Sequence, residues 1–386
     1  MKNLFSLSKL RRQTSGRAYV PEVDGLRFIA ILSVVLFHIG VQVLDQPHGA
    51  AIAAILNPVV HNGNRGVQLF FVISGFILGL PFARHRLTDA PMMRLRDYFL
   101  RRVTRLEPPY IVILLIRAAL ILLVLHQPIK AVMPHLLASL GYAHSLVYGY
   151  YSTINPPVWS LEVEIQFYCL APLLAWLLFS IRKATILRRL LFVVLIVGIG
   201  IGQKLYIVQD SRPGLTILYS VQYFLAGFLL CDLYLVGFEK IRSSWLWDLV
   251  CLPLWVWVFW WNSAWYHVWL PLACVVLYVG AFKGPLQRAF FRNPIIATIG
   301  GMCYSIYLTH NLVLTKATAL FRPIAARPAP GIAGVWLISA LITLLVFAGG
   351  LVFYVLLERP CMERDWPQKL ASRLGLRRRQ PVSQSV

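Results

Sequence analysis

The groups of this sequence that could do chemistry are ionisable residues inside apolar segments. The segment 26–40, LRFIAILSVVLFHIG, carries Arg27 at its start and His38 near its end. Such residues cost about 2.5–3.5 kcal/mol each on membrane-insertion scales, so they are functional candidates. At 100° per residue the two side chains share one helix face and lie about 16 Å apart along the axis. The alternatives are an arginine that reaches the lipid headgroups and a neutral histidine that bonds between helices.

A carboxylate at Glu164 is predicted at a depth similar to that of His38. In the sequence VWSLEVEIQFY, Glu162 occupies the first helical turn, where the helix dipole favours a carboxylate. Glu164 is harder to explain that way, because a buried carboxylate needs a cation or a hydrogen-bond donor beside it. We predict that His38 is this companion.

Two further segments contribute polar residues near the same depth. The sequence GGMCYSIYLTHN places His310 in the outer part of the membrane, with Tyr304 and Tyr307 one to two turns deeper. Ser74 lies near the middle of RGVQLFFVISGFILG. His310 could equally be an interfacial residue, and Ser74 could bond to its own helix. We predict Ser74, Tyr304 and His310 as substrate-binding residues.

A cluster of arginines forms a second candidate site, at the opposite face of the membrane. Arg101, Arg102 and Arg105 lie in the sequence RRVTRLEPPY. Arg102 and Arg105, three residues apart, project from one face of a helix, and arginine is suited to bidentate contacts with phosphate. The bias of basic residues toward cytoplasmic loops could account for the cluster alone. The spacing nevertheless favours a site for an anionic cytosolic ligand.

The elements that must position these groups are membrane helices. The chain of 386 residues is 58% hydrophobic and 13% charged, which is too apolar for a soluble domain of this size. A span needs about 20 apolar residues, and backbone polar groups at membrane depth must be paired within a helix. We therefore predict an all-α integral membrane protein with ten transmembrane helices. The predicted spans are 26–44, 66–82, 108–125, 159–180, 187–202, 214–236, 245–261, 264–281, 294–314 and 332–357.

The distribution of basic residues supports this topology. Most of the 37 lysines and arginines fall in the two tails and in alternate loops, which the positive-inside rule places in the cytoplasm. Both termini are therefore predicted to be cytoplasmic. The formal net charge of +22 is then a feature of topology, with some attraction to anionic lipid headgroups of the bilayer, and no nucleic-acid partner is expected.

A single membrane domain accounts for most of the chain. We predict a basic cytoplasmic tail over residues 1–22, a ten-helix domain over 23–358 and a basic, disordered cytoplasmic tail over 359–386. The first apolar run is long enough to be retained as a membrane-inserted helix. The six cysteines show no CxxC or paired spacing, so no metal site is expected.

The motifs in their order along the chain resemble the acyltransferase 3 family of bacterial membrane acyltransferases. The matching segments are VDGLRFIAILSVVLFH, GVQLFFVISGFIL, RRVTRLEPPY, VWSLEVEIQFY, YSIYLTHNL and LLERP. The resemblance implies ten core helices and the transfer of an acyl group, commonly acetyl from acetyl-CoA, to a hydroxyl group. Some relatives carry an extracytoplasmic hydrolase-like domain, which is not expected here.

The resemblance and the spacing together imply a role for each candidate. Arg27, Arg102 and Arg105 would bind acyl-CoA as co-substrate, with no metal cofactor. His38 would accept the proton of the attacking hydroxyl, a contribution of typically about 10²–10⁴-fold, and Glu164 would orient the imidazole. The sequence leaves open whether the acyl group passes directly or through an acyl-histidine.

The predicted function is acylation of a cell-surface glycan in the bacterial cytoplasmic (inner) membrane. The acceptor would be a glycan or lipid-linked glycan, such as lipopolysaccharide O-antigen or exopolysaccharide. One alternative is the O-acylation of a small molecule such as a macrolide. Another is a proton-coupled glycan or lipid transporter, in which His38, Glu164 and His310 relay protons.

Overall fold

The computed structural model describes residues 10–12, 19–43, 61–208, 211–325, 332–363 and 366–373. The regular structure in this part of the chain is helical, and this part contains no strand. The α-helices are α1 (Pro21–Val43), α2 (Arg65–Thr88), α3 (Leu95–Leu123), α4 (Ile129–Leu140), α5 (His144–Tyr148), α6 (Trp159–Leu178), α7 (Thr185–Tyr206), α8 (Val221–Asp232), α9 (Trp245–Trp260), α10 (Tyr266–Lys283), α11 (Pro285–Phe291), α12 (Pro294–Gly301), α13 (Cys303–Ala325), α14 (Ile332–Phe353), α15 (Arg359–Cys361) and α16 (Trp366–Arg373).

Eight helical stretches of the described residues are long and apolar enough to cross a membrane. They comprise α1, α2, α3, α6, α7, α10 and two helices that continue into a π-helical turn, α8 through Leu233–Gly237 and α14 through Tyr354–Glu358. This confirms the prediction of an all-helical, multi-pass membrane protein. The predicted span 245–261 corresponds to α9, which has 16 residues and is not among the eight.

The prediction that 294–314 forms a single helix is wrong, because the helix is interrupted at Met302, between α12 and α13. Two adjacent glycines, Gly300 and Gly301, weaken the helix at this point. They also allow α12 to pack closely on α1, since a Cβ at Gly300 would lie 1.7 Å from the carbonyl oxygen of Asp24. A count of apolar residues cannot detect such a break.

The main core forms where α2 packs against α1, α6 and α8. Phe224 of α8 stacks on Phe71 of α2 with ring centroids 4.8 Å apart and on Phe167 of α6 at 4.0 Å. A smaller core joins α3, α4 and α13 through residues such as Tyr110, Val132 and Leu308. These two cores hold α1, α2, α3, α6 and α13 around the site described below.

Close contact between α2 and α8 depends on two glycines. A Cβ at Gly227 would lie 2.4 Å from the carbonyl oxygen of Val72, and a Cβ at Gly75 would lie 2.3 Å from that of Phe224. Both contacts involve backbone atoms, which cannot move aside as a side chain can. The helices can therefore approach this closely only while both residues are glycine.

We expect Gly227→Ala to lower the stability of the folded protein by about 1–3 kcal/mol, the usual cost of overpacking a core. The measurement is the thermal midpoint of the purified protein in detergent. Gly198→Ala in α7 is the matched control, because nothing lies within 4 Å of its added Cβ. Equal midpoints for the two variants would contradict this account of the α2–α8 contact.

The prediction of a disordered tail over 359–386 is wrong for its first part. Residues Arg359–Cys361 and Trp366–Arg373 are helical, and the indole Nε1 of Trp366 donates to the carbonyl oxygen of Thr104 at 2.9 Å. This aromatic anchor holds the segment against α3, a contact that the polar composition does not suggest. Residues 374–386 lie outside the described part, as do residues 1–9 and 13–18 of the predicted N-terminal tail.

Candidate active site

A cavity of about 360 Å³ lies between α1, α2, α3, α6 and α13. Its walls along α2 extend from Leu80 to Phe70, a length of about 15 Å at 1.5 Å per residue. The cavity is lined by five arginines, Arg12, Arg27, Arg101, Arg102 and Arg105. It is also lined by aromatic and small polar residues, which include Ser160 and Tyr307.

The two arginines of α3 predicted to bind an anion, Arg102 and Arg105, both line this cavity. Arg102 donates to the carbonyl oxygen of Tyr98 at 2.6 Å, and its guanidinium carbon lies 3.8 Å from the centre of the Tyr98 ring. Arg105 donates to a carboxylate oxygen of Glu358 at 3.2 Å. The two guanidinium groups are thus held by neighbouring residues outside the cavity lining, with N–H groups left for a ligand.

Glu358 anchors the Arg105 guanidinium from a fully buried position. Its other carboxylate oxygen accepts hydrogen bonds from the hydroxyl of Ser305 at 2.7 Å and from the backbone N–H of Ser305 at 3.2 Å. Glu358 lies in the π-helical turn Tyr354–Glu358, a local widening that is frequent at functional sites. The last membrane helix is therefore tied to the arginine cluster by a buried ion pair.

Arg27 does not stand alone at the start of α1. Its guanidinium donates to Asp24 at 2.5 Å, and Arg12 donates to the same carboxylate oxygen at 3.4 Å. Asp24 is buried, so one carboxylate holds two guanidinium groups in the cavity wall. The predicted alternative, in which Arg27 reaches toward lipid headgroups, does not describe this geometry.

Ser74 and Glu164 form a hydrogen-bonded pair on the cavity wall. The Ser74 hydroxyl donates to a Glu164 carboxylate oxygen at 2.6 Å, so Ser74 bonds across helices and not to its own. The predicted pairing of Glu164 with His38 is therefore wrong. Equal depth in the membrane does not fix which side of a helix faces which neighbour, and α6 presents Glu164 to α2.

His38 instead contacts His310, with ring centroids 4.8 Å apart and planes at 66°. The Nδ1 of His38 lies 2.8 Å from the carbonyl oxygen of Val34, and that of His310 lies 2.6 Å from the carbonyl oxygen of Tyr307. Because a carbonyl oxygen only accepts, this network assigns a proton to each Nδ1 and leaves each Nε2 with a free lone pair. His310 is fully buried, and its Nε2 has no hydrogen-bond partner within the described part of the chain.

Tyr307 separates the histidine pair from the cavity. Its ring centroid is 5.5 Å from that of His310, and its hydroxyl lies 2.7 Å from the hydroxyl of Ser160 and donates to the carbonyl oxygen of Pro157. Tyr307 lines the cavity, whereas neither His38 nor His310 does. The predicted residue Tyr304 also lines the cavity and donates to the carbonyl oxygen of Leu106 at 2.8 Å.

Several residues of the site were not predicted from the sequence. Asp24 precedes Arg27 by three residues, and this spacing on one helix face is a signal that could have identified it. Glu358 lies in the recognised motif LLERP, where a lone carboxylate at the end of an apolar helix calls for a cation. No local signal identifies Arg12, because it lies in a basic tail that the positive-inside rule already explains.

Comparisons with known proteins identify the family of the chain. The model of the acyltransferase 3 family, described as an acyltransferase domain, matches residues 20–357. The protein named "Putative O-acetyltransferase" in Staphylococcus aureus strain COL is 25% identical over 324 residues, which cover 77% of this chain and 51% of that protein. The O-acetyltransferase OatA of S. aureus strain NCTC 8325 is 24% identical over 343 residues, which cover 81% and 53%.

The chain belongs to the acyltransferase 3 family, because the family match extends over most of its length. It spans about half the length of the curated relatives named above. No solved structure matches the chain.

Proposed function

We propose that this protein is a membrane O-acyltransferase that moves an acyl group, commonly acetyl, from acyl-CoA to a hydroxyl of a cell-surface glycan. The observation that carries the proposal is one cavity lined both by five arginines and by Tyr307, whose ring contacts His310 of the histidine pair. The family match and the names of the relatives support acyl transfer as the reaction class.

The charge of the cavity suits the donor. Five guanidinium groups and two carboxylates, those of Asp24 and Glu164, line its walls, so the excess charge is positive. Arginine binds phosphate bidentately, and acyl-CoA carries phosphates at one end and a slender arm ending in the thioester at the other. We place the phosphates among Arg101, Arg102 and Arg105 and the thioester toward Tyr307.

Membrane topology follows from the same placement. In the proposal the part of the cavity lined by Arg101, Arg102 and Arg105 opens to the cytoplasm, where acyl-CoA is found, and both termini lie on that side. Ten spans result if α9 and the α12–α13 pair cross together with the eight long helices. The glycan acceptor then approaches from the opposite face of the bacterial inner membrane.

The proposed reaction uses His38 as the general base. Its Nε2 takes the proton of the acceptor hydroxyl as the hydroxyl oxygen attacks the thioester carbonyl carbon. The bond between that carbon and sulfur then breaks, and the sulfur takes the proton back from His38 to leave as the CoA thiol. Val34 holds the ring through Nδ1, and His310 offers its Nε2 lone pair to the protonated ring of His38, the stabilising role first predicted for Glu164.

Tyr307 must turn aside for this reaction to occur, because it closes the end of the cavity next to His310. Among the described residues its hydroxyl bonds to Ser160 and Pro157, so rotation of the ring breaks two hydrogen bonds and opens a path between the thioester and the imidazole. In the proposal Tyr307 therefore separates the donor from the acceptor side until both substrates are bound.

The test of the proposed function is acetyl-CoA-dependent thiol release by the purified protein with a glycan acceptor, together with mass spectrometry of surface glycans from cells with and without the chain. We expect thiol release and a glycan acetyl group that depend on the protein. A transporter is indicated instead if the His38→Asn and Arg105→Gln variants retain acylation and acyl-CoA binding while glycan export is lost.

We expect Arg102→Gln to raise the KM for acetyl-CoA by about 10- to 100-fold, since a hydrogen bond to a charged group contributes about 1.5–3 kcal/mol. The kcat should change little, because the phosphates lie far from the reacting carbonyl. Arg96→Gln, on the same helix but exposed and outside the cavity, is the matched control. An unchanged KM for Arg102→Gln would show that the phosphates of acetyl-CoA do not bind at Arg102.

A further inference from the structure

Arg12, which precedes the first membrane helix, forms part of the cavity wall. Leu10 is buried, and Arg12 lines the cavity with its side chain 16% exposed. Arg12 packs against Gly301 of α12, where an added Cβ would lie 3.3 Å from the Cβ of Arg12. Its guanidinium donates to Asp24 at 3.4 Å, so Arg12 is held by both packing and charge.

Arg12 and Arg105 share an unusual feature. The Nε–H group of each is buried and has no hydrogen-bond acceptor among the residues that the structure describes. A buried donor without an acceptor is costly, and here two lie on the wall of one cavity. Each guanidinium forms an ion pair with one carboxylate among the described residues, Arg12 with Asp24 and Arg105 with Glu358.

The electrostatics of Arg12 favour an anion beside it. Burial lowers the pKa of the Arg12 guanidinium, and the positive charge of Arg105 lowers it further, while Asp24 opposes both effects. Two guanidinium groups that repel each other on the wall of one cavity are both stabilised by one doubly charged anion beside them. Phosphate matches this need in charge and in its number of acceptor oxygens.

We propose that Arg12 and Arg105 together form a binding site for one phosphate group of acyl-CoA, so that Arg12, which precedes α1, is part of the donor site. This inference rests on the proposed function and names a donor-binding residue outside the residues 20–357 matched by the family model. Arg12 precedes α1 and Arg105 belongs to α3, so the bound phosphate is held by residues from two parts of the chain.

The test compares the purified full-length protein with its Arg12→Gln and Arg11→Gln variants. Arg11 is the matched control, because it is exposed, lies one residue away and carries the same charge. The substrates are acetyl-CoA and acetyl-pantetheine, which lacks the nucleotide phosphates, and CoA binding is measured separately by calorimetry. We expect Arg12→Gln to raise the KM for acetyl-CoA and the Kd for CoA by about 10- to 100-fold, with kcat unchanged.

The same variant should leave the kinetics with acetyl-pantetheine unchanged, and Arg12→Lys should recover part of the affinity, because it restores charge without the bidentate geometry. Equal losses with both substrates, or no loss with either, would overturn the proposal. If Arg12→Gln lowers the affinity for CoA only in nanodiscs of phosphatidylglycerol, and not in those of phosphatidylcholine, Arg12 binds a lipid headgroup. That result would overturn the proposal too. If the unaltered protein neither binds CoA nor releases thiol, the proposed function itself fails.

Discussion

Replacing His38 with asparagine is expected to lower kcat for acyl transfer by about 10²–10⁴-fold, the usual contribution of a general base. The asparagine amide can donate to the carbonyl oxygen of Val34 as Nδ1 does now, so the helix keeps its local hydrogen bond. It has no counterpart of the Nε2 lone pair that takes the proton. The kcat is measured by thiol release, and the Kd for CoA, measured by calorimetry, should not change.

His85→Asn provides the matched control for this substitution. The Nδ1 of His85 lies 2.7 Å from the carbonyl oxygen of Ala90, the same type of contact, but His85 lies outside the cavity and away from His310. The kcat of the His85→Asn variant should equal that of the unaltered protein. If His38→Asn keeps full kcat, the base is another group; if it loses CoA binding as well, the defect lies in the fold.

The face of α1 that meets the cavity could be predicted only in part from the sequence, and the partner of His38 could not be predicted. The spacing of Arg27 and His38 places both on one face of α1, but Arg27 lines the cavity and His38 does not. The sequence also predicts the depth of Glu164 and His310 in the membrane, yet depth alone does not determine which faces of neighbouring helices meet. That depends on packing at contacts such as those of Gly75 and Gly300, which are set by the whole bundle.

Residues far apart in the chain were hardest to predict. Arg105 and Glu358 are separated by 253 positions, and they meet because the π-helical turn that follows α14 packs against α3. The membrane spans themselves were largely predictable, because a run of apolar residues is a local property. Where a glycine pair interrupts such a run, as at Gly300 and Gly301, the helix ends although the composition does not change.

The buried pair of Arg105 and Glu358 gives the largest effect on stability that we expect. Replacing Glu358 with glutamine leaves the Arg105 charge without its partner, and removing one member of a buried ion pair costs about 3–5 kcal/mol. Because the Arg105 side chain is 23% exposed while that of Glu358 is 0% exposed, the lower end of this range applies. The measurement is the thermal unfolding midpoint in detergent.

A surface pair in the same region serves as the control. Glu363 accepts from Lys369 at 2.6 Å, but the two side chains are 42% and 54% exposed, and such pairs contribute about 0–1 kcal/mol. Glu363→Gln should therefore leave the midpoint nearly unchanged. A shift as large as that of Glu358→Gln would mean that loss of any carboxylate near the C-terminal end of the bundle is destabilising.

The double variant Arg105→Gln/Glu358→Gln separates the two roles that the structure gives to this pair. Two neutral amides can bond to each other and to Ser305, so much of the lost stability should return. Binding of CoA should not return, because the guanidinium that faces the phosphate is gone. A double variant that regains both stability and CoA affinity would show that Arg105 only neutralises Glu358 and does not contact the donor.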